Sequence, residues 1–77
     1  MKTEFLEIIK AEYTGGHNIR LWFNDNTDKE INLYGYLKGE VFEPLKSPEY
    51  FRNFTIRYNT IEWPNGADFA PEFLHSL

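Results

Sequence analysis

A chain of 77 residues with a net charge of −4 and no cysteine makes one small domain without disulfides or a thiolate zinc site. No apolar run approaches the roughly 18 residues of a membrane span, and Met1-Lys2-Thr3-Glu4 has no apolar stretch behind a basic start, so neither a membrane segment nor an export signal is expected and the default location is the cytoplasm. The eight Lys and Arg are scattered along the chain, which argues against nucleic acid as a partner, although a fold could still gather Arg20, Arg52 and Arg57.

A chain this short buries roughly 60% of its unfolded surface, so the 18% of aromatic residues must supply most of the core. The first strand is expected over residues 5–13, where charged Glu7, Lys10 and Glu12 interrupt an apolar run. Thr14-Gly15-Gly16-His17 is a turn, with His17 a solvated turn residue. Residues 18–23 alternate cleanly: Ile19, Leu21 and Phe23 point one way, Arg20 and Trp22 the other. Asn24-Asp25-Asn26-Thr27 is a second turn, and residues 28–33 form a third strand with Ile31 and Leu33 inward, completing an antiparallel meander.

From Tyr34 the periodicity changes. Tyr34-Gly35-Tyr36-Leu37-Lys38-Gly39 reads as a helical turn ended by Gly39, and Val41-Phe42-Glu43-Pro44-Leu45 as an irregular connector across the sheet. Ser47-Pro48-Glu49 starts a brief helix, Ser47 as its cap and Pro48 at its first position, ending near Asn53. Residues 54–58 and 61–63 are two further strands joined by a turn at Asn59-Thr60. Helices this short exclude parallel crossovers, so the class is α+β: a small, mostly antiparallel sheet, made of a three-strand meander plus a C-terminal hairpin, with two or three short helices.

The densest structural signal comes last. Pro64 cannot donate to a sheet ladder, so the strand stops at Trp63, and Asn65-Gly66 turns the chain. Asp68 is expected to cap a helix that has Pro71 in its first turn and Glu72 favouring its dipole, with Phe69, Phe73 and Leu74 on the face against the sheet. The competing reading makes Asp68, Glu72 and His75 metal ligands, since Glu72 and His75 are spaced i, i+3. A cap and surface charges account for those residues without an ion. For catalysis, His17 in a glycine-flanked turn and His75 and Ser76 at the chain end are poor places for a preorganised base or nucleophile. No catalytic, cofactor-binding or metal-binding residue is therefore assigned.

Leu21-Trp22-Phe23-Asn24-Asp25-Asn26, Val41-Phe42-Glu43-Pro44-Leu45 with Pro48-Glu49-Tyr50-Phe51, and the whole run from Ile61 through Trp63-Pro64-Asn65-Gly66 to Leu74 resemble the small bacterial proteins of domain-of-unknown-function family 2442. The resemblance covers nearly the whole chain and implies a small α+β sheet domain. Some members of that family lie beside small partner proteins in operons that look like toxin–antitoxin pairs, and others are joined to helix-turn-helix modules. Asn26 stands where that family usually has glycine. A molybdopterin-guanine dinucleotide biosynthesis label on some relatives implies a phosphate cradle, which Gly15-Gly16 ahead of a strand does not supply.

More amphipathic aromatics are present than a thin core can hide. Arg20, Trp22, Tyr34, Tyr36, Arg57 and Trp63, with Tyr58, are of the types enriched at interface hot spots. The expected function is a non-catalytic protein-interaction module, its partner another small protein or a second copy. The alternatives are a small-ligand or metal-binding accessory domain and a nucleic-acid-associated regulator.

Overall fold

The computed structural model describes residues 5–77; the N-terminal tetrapeptide read above for an export signal lies outside them. Three antiparallel strands, β1 (Ile8–Gly15), β2 (Asn18–Phe23) and β3 (Asp28–Asn32), form the meander in the order β1-β2-β3. The alternation along β2 sets which face is covered: Ile19, Leu21 and Phe23 are buried while Arg20 and Trp22 lie on the other face. The register puts Ile8 opposite Phe23 and Ile19 opposite Ile31 on the covered side. On the far side Lys10 faces Trp22 and Glu12 faces Arg20.

The first strand starts later than expected, at Ile8 rather than Phe5. Asn24 explains the difference, because its side chain takes over the pairing there: Oδ1 accepts from Glu7 N–H at 3.0 Å and Nδ2 donates to Phe5 O at 2.8 Å. Asn26 has φ 73°, so it occupies the left-handed position of the β2–β3 turn that a glycine would hold.

The connector is more regular than the sequence indicated. A 3₁₀ turn spans Tyr34–Tyr36, with Leu37 as its last boundary; Gly39, at φ 99°, opens the next element instead of closing this one. That next element, Glu40–Lys46, is a second 3₁₀ helix where an irregular run was expected. Its i→i+3 bonding tolerates Pro44 because the turn is short and tight. The helix α1 (Pro48–Phe51) then follows with Pro48 at its first position. Ser47 occupies the cap position, but its hydroxyl makes no capping bond.

A separate two-stranded sheet, β4 (Thr55–Arg57) and β5 (Thr60–Glu62), forms the C-terminal hairpin. Its turn is one residue earlier than expected. Tyr58 and Asn59 both have positive φ, 53° and 73°, the signature of the two-residue turn whose twist matches paired strands. Thr60 is therefore a buried strand residue, and its hydroxyl donates to Phe69 O at 2.6 Å.

The chain then turns back on itself. Gly66 N–H donates to Trp63 O and Trp63 N–H to Ala67 O, both at 2.9 Å, with Gly66 at φ 91°. Asn65 locks the turn, its Oδ1 accepting from Ala67 N–H and its Nδ2 donating to Val41 O. This return lays Asp68 beside Glu62 in a β-bridge, so Asp68 does not cap a helix. The helix α2 (Pro71–Ser76) begins three residues later, with Ala70 at its cap position in an extended conformation (φ −62°, ψ 141°). Proline forces that conformation on the residue before it, so the Ala70-Pro71 pair sets the helix start without a side-chain cap.

Trp63 is the hub of the single core. Its ring is 2% exposed, lies 5.5 Å from Phe51, 6.2 Å from Phe54 and 6.0 Å from Phe69, and its indole N–H donates to Phe51 O at 2.6 Å. Trp63→Phe removes the donor and part of the ring, leaving a void and a poorly partnered carbonyl. A loss of about 2–3 kcal/mol is expected in urea denaturation; a change below the error of that measurement would remove Trp63 from this role. At the hairpin, a left-handed tyrosine costs about 1–2 kcal/mol, against roughly 0.5–1 kcal/mol for the exposed Arg57–Tyr58 ring contact. The strain is the larger, so Tyr58→Asn should raise the melting temperature by about 2–4 °C.

Candidate functional site

The residues expected to form one interaction surface are placed in several separate settings. Arg20 and Trp22 share the outer sheet face with Lys10. The Lys10 ammonium sits 4.7 Å from the Trp22 ring centre and the Arg20 guanidinium 5.7 Å, while Arg20 also pairs with Asp28. Trp22 is thus half covered by the stems of two cations. Arg57 lies on the hairpin, 3.6 Å from Glu62 and 5.1 Å from the Tyr58 ring. Tyr34 packs edge-on against His17 at 4.9 Å. Trp63 leaves the surface set altogether, because it is the centre of the core.

Tyr36 leads to a site with the form of a binding surface. It meets Phe73 edge-on at 5.3 Å. Phe73 stacks on Phe69 at 5.7 Å with 17° between planes, and Phe69 stacks on Phe42 at 4.9 Å with 24°. Three nearly parallel rings thus form a ladder that joins the second 3₁₀ helix, the return segment and α2. Beside it lies an open groove of about 530 Å³ lined by Tyr36, Phe42, Phe69, Phe73, Lys38 and Asp68, with Gly35 and Ala70. Tyr36 is 44% exposed and Phe73 36%, so two of these rings still face solvent. A second depression of about 280 Å³ beside Arg57 and Glu62 is smaller and more polar.

Sequence reasoning grouped Phe69, Phe73 and Leu74 on one buried helix face. The structure separates them: Leu74 is in the core, Phe69 precedes the helix and Phe73 lines the groove. A ladder assembled from residues 42, 69 and 73 has no periodic signature, since each ring comes from a different element.

The metal reading of Asp68, Glu72 and His75 finds no such cluster; among the described residues no group of three His, Asp or Glu side chains is placed to hold an ion. His75 turns the other way. Its Nε2–H donates to Asp25 Oδ2 at 2.9 Å, Thr27 Oγ1 lies 3.3 Å away, and the ring stands edge-on to Phe23 at 4.8 Å. Lys29 adds to the contact by donating to the carbonyls of His75 and Leu77, where a cation complements a helix C-terminus. Together these groups clamp α2 to the β2–β3 turn, holding Phe73 at the groove.

His17 is likewise not a solvated turn residue. It is half-buried between Tyr34 and Phe51, and its Nε2–H donates to Leu45 O at 2.9 Å. Both imidazoles are thus engaged in fixing loops, away from the groove.

The fold and site define a small α+β domain that carries an open aromatic groove with one cation and one anion in its lining. The chain belongs to the family described as "Protein of unknown function (DUF2442)", whose model matches residues 8–76. No curated protein matches the chain, and no solved structure does. None of the helices among the described residues is long and apolar enough to cross a membrane.

Hydrogen bonds from the Thr27 hydroxyl and backbone N–H, with a contribution from His75, hold the Asp25 carboxyl below its ordinary range. A carboxylate lowered in this way stabilises the fold above the ordinary carboxylate value, near pH ~4, and that contribution is lost as pH falls through the lowered value. Asp25→Asn should therefore melt below the parent protein at pH 6 and converge with it toward pH 2. Thermal scans across that range test the clamp, and curves that stay parallel would remove the charge from it.

Proposed function

We propose that this domain is a non-catalytic protein-interaction module and that the aromatic groove is its recognition surface. The observation carrying this reading is the solvent-facing part of the ladder, Phe73 and Tyr36, held on α2 and the first 3₁₀ turn beside the groove. Ordered rings on a fixed scaffold bind with little further loss of side-chain entropy, and aromatic residues dominate interface energetics. The groove is open to solvent, and its lining is apolar apart from Tyr36, Lys38 and Asp68. An acyl- or phosphoryl-transfer site needs a nucleophile, a base and an oxyanion donor converging on one point. The imidazoles that serve most often as bases are committed elsewhere, to Leu45 O and to Asp25. A cytoplasmic setting and a partner of similar size are part of the same proposal.

The test is site-specific photo-crosslinking in the producing cell. A photoreactive phenylalanine at position 73 should give a discrete protein adduct, and the same group at position 22, on the outer sheet face, should give none. Absence of an adduct from position 73, or equal adducts from both positions, would sink the reading.

A further inference from the structure

The groove's charges narrow the choice of partner. Its lining holds one cation and one anion, Lys38 and Asp68. Among the described residues neither has a salt-bridge partner, as is also true of Arg52, Glu49 and Glu72, whereas Lys10, Arg20, Lys46 and Arg57 are paired. A groove that must accept a basic or an acidic protein would present charge of one sign. A single unpaired charge of each sign around an apolar centre is self-complementary. In a two-fold interface residue i meets residue j while j meets i, so one Lys and one Asp on the same patch yield two ion pairs.

We propose that the groove is a self-association surface, closed by a second copy of this chain about a two-fold axis that sets Lys38 of each copy against Asp68 of the other. The inference rests on the groove being a protein-recognition surface. The centre of such an interface is the solvent-facing Phe73 and Tyr36, which a second copy covers with the same rings. The rim is the two reciprocal ion pairs, which set orientation more than affinity. With only two partly exposed rings from each copy at its centre and solvent-exposed charges at its rim, the dimer is weak, with a dissociation constant of ~1–100 µM.

The symmetry supplies its own experiment. Lys38→Asp makes both charges of the patch acidic, and Asp68→Lys makes both basic. In each case two attractive pairs become two repulsive ones, so sedimentation equilibrium of either variant alone should show self-association weakened roughly tenfold or more. Mixed in equal amounts, the two variants should form a heterodimer of parental affinity, because an all-acidic patch then meets an all-basic one. The double variant Lys38→Asp/Asp68→Lys should dimerise like the parent. A misfolded variant cannot be rescued by mixing, so restoration separates recognition from structural damage, and circular dichroism of each single variant checks the fold independently.

A purified parent protein that stays monomeric up to ~500 µM would overturn the self-association. So would single variants that associate as the parent does, or a mixture that stays monomeric. If in that case position 73 still crosslinks to a different protein in the cell, the interaction module stands and only the identity of its partner changes. If position 73 crosslinks to nothing, both readings fall.

Discussion

The indole of Trp63 and its hydrogen bond to Phe51 O fix the arrangement of everything C-terminal to the meander. Seventy-seven residues cannot bury a deep core, so one large side chain has to touch several elements at once. Trp63 does this because it sits just past the end of β5, before Pro64, and the turn at Asn65-Gly66 returns the chain alongside. Its ring then meets α1 through Phe51, the start of the hairpin through Phe54, and the return segment through Phe69. The buried N–H finds an acceptor in the backbone of α1, so the polar atom of the largest core residue costs little. Among the described residues no buried side-chain polar atom lacks a partner.

The same shortage of volume explains the groove. With Trp63, Phe23 and Phe51 filling the interior, the remaining rings stack on its margin. Phe42 and Phe69 are half-buried against the core and Phe73 stands outermost. A phenylalanine at the edge of such a ladder is held in place by its neighbour's face, which keeps it ordered without hiding it. α2 contributes by burying Leu74 while presenting Phe73, and the Asp25–His75 contact sets its orientation at the far end. Fold stability and groove geometry are therefore coupled through one short helix.

Local chemistry explains which parts were legible in the sequence. The meander was, because strict alternation along β2 admits one covered face and the turns at Gly15-Gly16 and Asn24 to Thr27 bound it. The end of β5, at Glu62 rather than Trp63, was legible to within one residue, and so was the turn after it, since proline and Asn-Gly restrict backbone angles whatever surrounds them. The Asp68 cap was misjudged because an aspartate before a helical run has two uses, and the backbone bonds returning from Trp63 drew it into a bridge with Glu62. Tyr58 in a left-handed turn position runs against its intrinsic preference, so propensity placed that turn one residue late. The candidate site was legible only in part. Tyr36 was named among the exposed aromatics, but the ladder it joins depends on three elements meeting, and no spacing rule connects residues 42, 69 and 73.

An exposed aromatic cluster on a protein with little core to spare needs a physical reason. Leaving Phe73 and Tyr36 partly in water forgoes hydrophobic stabilisation, which a marginal domain can ill spare. A polar residue at position 73 would give up the ring contacts with Phe69 and Tyr36 while leaving Leu74 to anchor α2 in the core. Only covering the rings with something else recovers the stabilisation forgone, and a second macromolecular surface provides a match in size. The outer sheet face shows the contrasting solution. There Trp22 is covered within the chain by Lys10 and Arg20, each cation masking ring area while keeping its charge in water. One aromatic surface of this molecule is shielded by its own cations; at the other, Phe73 and Tyr36 keep 36% and 44% exposure, and among the described residues no cation lies over their rings. That difference between the two faces is the physical argument for recognition at the groove.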